Sequence, residues 1–401
     1  MTDTVPAYPF AHPAALDPSP EWEQLRNECP VARIRLVSGD EALLVTRYDD
    51  VKGLLADPRF THSLARPDAA KISASDDGGV FNREESAMIA SPDHPRWRRM
   101  MNRSFTVKRV TAMRPRIEQI AHRLIDEMVA AGQPGDLQSA LGFPLPVFVI
   151  CELLGVDPGY RDTFSHWSDA MLNLTRFDQA ELTKAAVEFQ EFMAQHVRDK
   201  RAEPGDDLLS ELAAIVDSQD GRMTETELVL TAQGLLVAGH ETTANMIGKM
   251  VAMLLADRPA RWERLVADRG LINSAVEESL RFDANPGIGL PRYISEDIEI
   301  AGCPVKAGTV VMASMAAGNR DETAYEQAGE MRLDRSPNPH LSFGAGPHSC
   351  LGQALARTEL QVTLAVLLDR LPTLELAVPP EELRRRTGLI VGGLEEVPVR
   401  W

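Results

Sequence analysis

The stretch Phe343-Gly344-Ala345-Gly346-Pro347-His348-Ser349-Cys350-Leu351-Gly352 runs directly into Gln353-Ala354-Leu355-Ala356-Arg357, so a glycine-rich loop delivers a cysteine to the start of a helix. Two glycines and a proline fix a backbone path that larger residues resist, and they leave amide groups free to point at one atom. A helix N-terminus favours negative charge, which biases a cysteine there toward the thiolate, the form that ligates metal. The loop taken alone also admits a glycine cap with an incidental cysteine. The other cysteines, Cys29, Cys151 and Cys303, form no CxxC pair. They are expected to be small apolar side chains in or near the core, with neither a disulfide framework nor a zinc site.

Three further groups of residues stand out. Glu278 and Arg281, in Val276-Glu277-Glu278-Ser279-Leu280-Arg281, are three apart and share a helix face; an exposed pair at that spacing is worth only about 0.2–0.5 kcal/mol and by itself marks a solvated surface. Leu235-Leu236-Val237-Ala238-Gly239-His240-Glu241-Thr242-Thr243 lies in the middle of the longest helical segment. A helix-interior glycine costs about 1 kcal/mol relative to alanine and adjacent threonines are poor helix formers, so local weakness is tolerated here. Its plainer reading is a kinked core helix. His94 and Arg98 are four apart at a helix start and also share a face.

The elements that must position these residues are mainly helical. Apolar residues recur at three and four in segments near 95–110, 115–131, 144–155, 160–174, 178–201, 206–217, 224–256, 258–268, 271–282 and 353–370. Strands are expected at 31–36, 42–46, 297–300 and 308–313, with a terminal β segment ending at Trp401, and the first helix at 48–56. Residues 57–91 turn to Pro, Ser, Asp and Gly and read as a long loop, a kind of segment that is often functional. No boundary divides the chain, which reads as one unit over residues 1–401.

Composition narrows the function further. With 401 residues, 44% hydrophobic and 25% charged, the chain can bury a sizeable core, and its net charge of −17 argues against nucleic acid as main partner. Residues 1–17 lack the basic start and apolar run of a secretory signal, and apolar stretches such as 228–237 fall short of the roughly 20 residues that span a bilayer. A cytoplasmic protein without a membrane anchor is expected. Against the acidic background, Arg96, Arg98, Arg99, Arg103, Lys108 and Arg109 follow one another without a carboxylate.

The cysteine loop fills every fixed position of the pattern FGxGxHxCxGxxLAR, and in this it resembles the haem-binding motif of the cytochrome P-450 superfamily. The resemblance implies a mainly α fold with smaller β regions, in which the haem lies between the long central helix and the cysteine loop. It makes Cys350 the axial iron ligand, whose electron donation favours O–O cleavage, with Phe343, Gly344, His348 and Gly352 shaping the cofactor loop. Glu278 and Arg281 resemble the ExxR pair, completed by a third group at Arg335, which braces that loop. Thr242 and Glu241 correspond to the alcohol and acid that deliver protons; His240 falls on a variable position of the motif and is left unassigned. His94, Arg98, Arg292 and His348 match the donors to the haem propionates.

The chain shows no flavin or iron–sulfur motif, so electrons must come from other proteins. The resemblance implies NAD(P)H as source, passed through a ferredoxin reductase and a small acidic ferredoxin; Arg99, Arg103 and Arg109 are candidates to dock it, against the alternative of a merely solvated face. Substrate contacts are expected from residues 59–91, the helices near 165–180, and Ala238, Phe282, Ile288 and Leu290. Pro286 comes later than in the common family pattern, and Gly287 and Gly289 would leave room for a bulky substrate. The segments 39–48 and 393–401 resemble actinobacterial members that tailor secondary metabolites, some of which couple aromatic rings of cyclic dipeptides instead of inserting oxygen. Hydroxylation or epoxidation of a bulky natural product is the leading expectation and oxidative C–C or C–N coupling the alternative. A haem-based sensor or carrier would not need Glu241 and Thr242, and a haem-free helical interaction protein would need none of these motifs together.

Overall fold

The computed structural model describes residues 5–61, 63–83, 94–217 and 223–401. The elements run α1 (Pro20–Glu28), β1 (Val31–Arg35), β2 (Glu41–Val45), α2 (Tyr48–Ala56), α3 (His94–Ser104), α4 (Val107–Ala131), β3 (Gly135–Asp136), α5 (Pro144–Leu154), α6 (Arg161–Met171), α7 (Gln179–Ala202), α8 (Leu208–Asp217), α9 (Glu225–Ala256), α10 (Trp262–Ala267), α11 (Ile272–Phe282), β4 (Leu290–Tyr293), β5 (Ile298–Ile300), β6 (Cys303–Val305), β7 (Val310–Ala313), α12 (Met315–Gly318), α13 (Gln353–Arg370), β8 (Glu375–Leu376) and β9 (Pro398–Arg400). The mainly α architecture with smaller β regions is the one expected from the sequence.

Helix α9, 32 residues long, is the axis of the fold. It starts at a capping box in which the Thr224 hydroxyl accepts from the Glu227 amide (3.2 Å) and the Glu227 carboxylate from the Thr224 amide (2.7 Å). Apolar residues occur all around it, so it has no polar face to give to water, and α5, α7, α11 and α13 pack against it. These helices enclose one large apolar cluster. A second gathers around the four-stranded sheet, whose order is β1-β2-β7-β4. There Val31 pairs with Val45 antiparallel, Leu43 with Val311 parallel and Leu290 with Ala313 antiparallel. Strands β3, β9 and β8 form a small sheet that ties the C-terminus to the end of α4.

Several boundaries depart from the sequence reading. The first helix is α1, not the one at Tyr48; among its nine residues only Trp22 is buried, too sparse a pattern for periodicity to reveal. Residues 95–110 are not one helix: Thr106 caps α4 by accepting from the Arg109 amide at 3.2 Å, and α4 then runs through Pro115, where a new helix was expected to begin. Strand β4 was missed because Pro291 lies in it, yet β4 is an edge strand, where a missing amide is tolerated. The hairpin partner β6 and a single π turn at Gln138–Gly142 were also not anticipated.

Of the long loop at 57–91, residue 62 and residues 84–91 lie outside the described residues. The remainder is pinned at several points: Thr61 bridges to Tyr293, the Tyr293 hydroxyl donates to Asp68 (2.6 Å), and the Ser73 hydroxyl donates to the Leu174 carbonyl (3.1 Å).

Candidate functional site

Cys350 sits just ahead of α13, with Gly352 as the helix N-cap. The loop before it is shaped by two left-handed glycines, Gly344 and Gly346, each at φ +70°. A Cβ on Gly346 would stand 2.5 Å from the Ala56 Cα, so the loop depends on a glycine where it meets the end of α2. The Cys350 amide donates to the Phe343 carbonyl at 2.8 Å, which closes the loop on itself. Burial pushes the Cys350 thiol up, and the Gly352 amide with the Arg98 and Arg357 guanidinium groups opposes that only in part. Burial therefore outweighs the helix-terminus bias, and a bound metal cation would be needed to make the thiolate the stable form.

The loop is held from behind by a buried charge cluster. Glu278 and Arg281 are both fully buried, and Arg281 donates to the two Glu278 oxygens at 2.8 and 2.8 Å. Arg335 Nε donates to the same carboxylate (3.0 and 3.1 Å), as do the Arg332 amide (2.8 Å) and the Asn338 amide group (3.1 Å). Arg281 spends its other hydrogens on the carbonyls of Asn319, Ala328 and Glu330. From Asn319 the path continues into the cysteine loop, through the Leu341 amide (2.7 Å) and the Ser342 hydroxyl (2.9 Å).

Glu277, one residue before this pair, was not singled out from the sequence. Its carboxylate accepts two bonds from Arg357 of α13, at 2.8 and 3.0 Å, and faces His340 Nε2 at 3.1 Å. The Arg357 guanidinium also lies over the Phe343 ring, 4.4 Å from its centroid. The signal that could have found Glu277 is Arg357 itself, a half-buried cation at the end of the cysteine motif that needs a partner.

On the other side of the loop Arg98 donates to the Ser349 carbonyl (2.7 Å), and the rings of His94 and His348 lie 4.0 Å apart. Arg292, 2% exposed, donates to the carbonyls of Pro291 (2.8 Å) and Leu55 (3.3 Å) but meets no anion, and its Nε has no partner among the described residues. Burial alone pulls Arg292 down to about 10; burial, with His94, Arg292 and Arg98 nearby, pulls His348 down to about 4. Such a concentration of buried and half-buried donors suits an anionic group. Together with a thiol aimed by a glycine loop, the donor set fits haem, whose iron would take the sulfur and whose carboxylates would take the cations.

Across the helical core, α9 is buried nearly throughout its second half, but at Ala238 it is exposed and at Thr242 half-exposed, one turn apart on one face. The Thr242 hydroxyl donates to the Ala238 carbonyl at 2.9 Å, and the Thr242 carbonyl accepts from the Asn285 side chain at 3.2 Å. Gly239 faces away from that opening: a Cβ there would meet Ile150 of α5 at 2.7 Å, so the glycine serves helix crossing. Glu241 is 1% exposed, on the inner side of α9.

The remaining residues expected at a substrate pocket are distributed. Phe282 lies under the Arg320 guanidinium, 3.4 Å from the ring centroid. Ile288 is buried in the sheet cluster with Tyr8, Leu36, Leu174 and Met312 nearby, and Leu290 packs against the same cluster. Gly289, at φ +78°, is needed because a Cβ would stand 2.5 Å from the Ala313 carbonyl oxygen, whereas Gly287 has no atom within 4 Å of that position. In the basic stretch Arg99, Arg103 and Lys108 are exposed, but Arg109 is bound to Glu211 at 2.8 and 2.9 Å and Arg96 to Glu227.

Comparison with known proteins gives the family. The model of the cytochrome P450 family matches residues 157–384. The mycinamicin IV hydroxylase/epoxidase of Micromonospora griseorubida is 41% identical over 100% of both chains, and the nocardicin C N-oxygenase of Nocardia uniformis subsp. tsuyamanensis is 40% identical over 100% of this chain and 99% of its own. The crystal structure of the putative thioether synthase SgvP, involved in the tailoring step of griseoviridin, superposes with a TM-score of 0.94 at 38% identity, covering 99% of this chain and 100% of its own. The chain belongs to the cytochrome P450 family. It is a haem-dependent oxidoreductase of the monooxygenase type that draws electrons from redox partners, and no helix among the described residues is long and apolar enough to cross a membrane.

Proposed function

We propose that residues 1–401 act as one haem-thiolate unit that hydroxylates or epoxidises a bulky natural product in the cytoplasm. The observation that carries the reading is the convergence of Cys350 with His94, Arg98, Arg292 and His348, a thiol and four nitrogen donors gathered about one loop. Haem b, when bound, supplies dioxygen activation through its iron. Arg98, which fixes the Ser349 carbonyl, would also bind a propionate, and Arg292 would be a second propionate donor through its unpaired Nε. Phe343, Gly344 and Gly352 shape the loop, and Glu278, Arg281 and Arg335 keep it rigid from behind. Thr242 presents its hydroxyl on the open face of α9 and passes a proton there, with Glu241 as the acid behind it. Substrate lies against that same face at Ala238.

Electrons come from NAD(P)H through a ferredoxin reductase and a ferredoxin, the latter steered by the exposed Arg99, Arg103 and Lys108. The substrate class rests on the relatives, whose names place them on mycinamicin IV and nocardicin C. Bond-forming coupling is the second reading, favoured by the likeness to a putative thioether synthase.

A panel of macrolides, peptide antibiotics and tryptophan-containing cyclic dipeptides, turned over with ferredoxin, reductase, NADPH and isotopically heavy dioxygen, tests both. Oxygen insertion gives a product carrying one heavy oxygen; coupling gives a product that has lost two hydrogens and gained none. A protein that binds and oxidises only small substrates would remove the proposed substrate class.

A further inference from the structure

His240 is fully buried in α9, and its Nδ1 lies 2.7 Å from the Leu236 carbonyl. A carbonyl only accepts, so that nitrogen carries a hydrogen. The other nitrogen, Nε2, faces Glu241 Oε1 at 3.6 Å, and neither atom has a hydrogen-bond partner among the described residues. With a neutral ring and an ionised carboxylate, two acceptors would face each other in a buried site, an arrangement proteins avoid because each loses its water without compensation. One proton between them, passed directly or through a bridging water, removes the conflict.

The surroundings say where that proton rests. On α9 itself the Asn245 side chain donates to Glu241 Oε2 at 3.0 Å. From the C-terminal segment Arg386 approaches Oε2 at 3.7 Å while it grips Asp169 of α6 with two bonds of 2.8 Å; Arg176 lies 3.5 Å from Asp169. The Phe143 ring meets His240 edge-on at 5.8 Å, and Gln138 donates to the Ala244 carbonyl beside the pair. Burial works against the Glu241 charge, but His240, Arg386 and Asn245 outweigh it and hold the carboxyl below its usual range. With Asn245 donating to Oε2 and the Arg386 cation beside it, the carboxylate is satisfied as an anion and leaves the proton to the ring.

A cleft of about 510 Å³ opens beside this place, lined among others by Asp136, Gln138, Phe143, Arg161 and Arg386. Phe143 touches His240 and Arg386 neighbours Glu241, so the cleft ends one side chain from the pair. Neither Ala238 nor Thr242 lines it.

We propose that His240 and Glu241 hold one proton in common, resting on His240 Nε2, and that solvent in this cleft restores it past Arg386. The inference rests on the reading of Glu241 as the acid behind Thr242, and it makes His240 a positioning residue that acts through Glu241. In the step itself the Nε2–H bond breaks and a Glu241 Oε1–H bond forms; when Glu241 gives that proton on, a hydrated proton from the cleft re-forms the Nε2–H bond, and the other hydrogen stays on Nδ1, donated to the Leu236 carbonyl throughout.

The test is nitrogen NMR of ¹⁵N-histidine-labelled protein, dithionite-reduced and carbon monoxide-bound so that the iron is diamagnetic. His240 is assigned by the signals lost in His240→Gln; if that variant does not fold, the wild-type against Glu241→Gln difference still decides. The expected result at neutral pH is an imidazolium signature in wild type that Glu241→Gln converts to a neutral ring with hydrogen on Nδ1. A His240 that is neutral in wild type and indifferent to Glu241→Gln would overturn the proposal. The Soret band of the same sample depends on Cys350 and not on this pair, so failure of the haem-thiolate reading is seen separately.

Discussion

Arg357 and Glu277, eighty positions apart in sequence, face each other in a two-bonded ion pair of 2.8 and 3.0 Å that fastens the helix after the cysteine loop to the helix behind it. Next to it the Glu278 carboxylate accepts from five donors with no exposure at all. The two glutamates are adjacent, yet their losses should differ. Removing the Glu278 charge strands Arg281 and Arg335 in the interior, and breaking a fully buried pair costs about 3–5 kcal/mol. Glu277 is a quarter exposed, so its loss should cost about 1–2 kcal/mol. Urea unfolding of Glu278→Gln and Glu277→Gln should show that order; equal losses would mean that the cluster does not brace the loop as described.

Acid should expose the same device. Burial opposes the ionisation of Glu277, but His340 and Arg357 outweigh it and hold the carboxyl at about 2, below its ordinary 4.5. The carboxyl is depressed in the folded state, so its contribution is complete above about pH 4.5 and is lost as pH falls toward about 2. Asp283, held down by Arg385 and Lys249, acts in the same direction. The Tm gap between wild type and Glu277→Gln should be widest above about pH 5 and narrow below it. A gap independent of pH would contradict this assignment.

The relation of these predictions to the sequence is uneven. Cys350 and its glycines were legible because the whole motif is local, and α9 was legible because a long apolar run needs no tertiary information. Glu277 was not, since its partners come from α13 and the loop at His340, and nothing at its own position distinguishes it from a solvated glutamate. Gly289 reads in sequence as room for substrate, whereas in the fold the close approach of Ala313 requires it. Arg109 reads as part of a docking patch, but Glu211 engages it from α8, an element far along the chain. Spacing reveals which residues share a face, not what that face meets.

Removal of the Thr242 hydroxyl should divide oxygen chemistry from haem binding. Thr242→Val takes away the donor to the Ala238 carbonyl without altering any group near Cys350. Product formation should fall by about 10²-fold, the lower end of what proton transfer contributes, with haem content unchanged and hydrogen peroxide released in place of product. Unchanged product yield would remove Thr242 from the relay.

Electron delivery should depend on the exposed cations and not on the paired one. Charge reversal at Arg99, Arg103 and Lys108 together should slow reduction by an acidic ferredoxin about tenfold at low salt, with the difference shrinking as ionic strength screens it. Reversal at Arg109 alone should slow reduction less, because Glu211 already neutralises it. Stopped-flow reduction rates across a salt series decide the matter; no effect of the triple reversal would place docking elsewhere.

The central claim, that Cys350 gives its sulfur to a haem iron, is tested most directly by the absorption spectrum of the dithionite-reduced, carbon monoxide-bound protein beside Cys350→Ala. A strongly red-shifted Soret band in wild type that is absent from the variant is the predicted result. Folded, haem-loaded wild type without that band, or a variant that keeps it, would contradict the account.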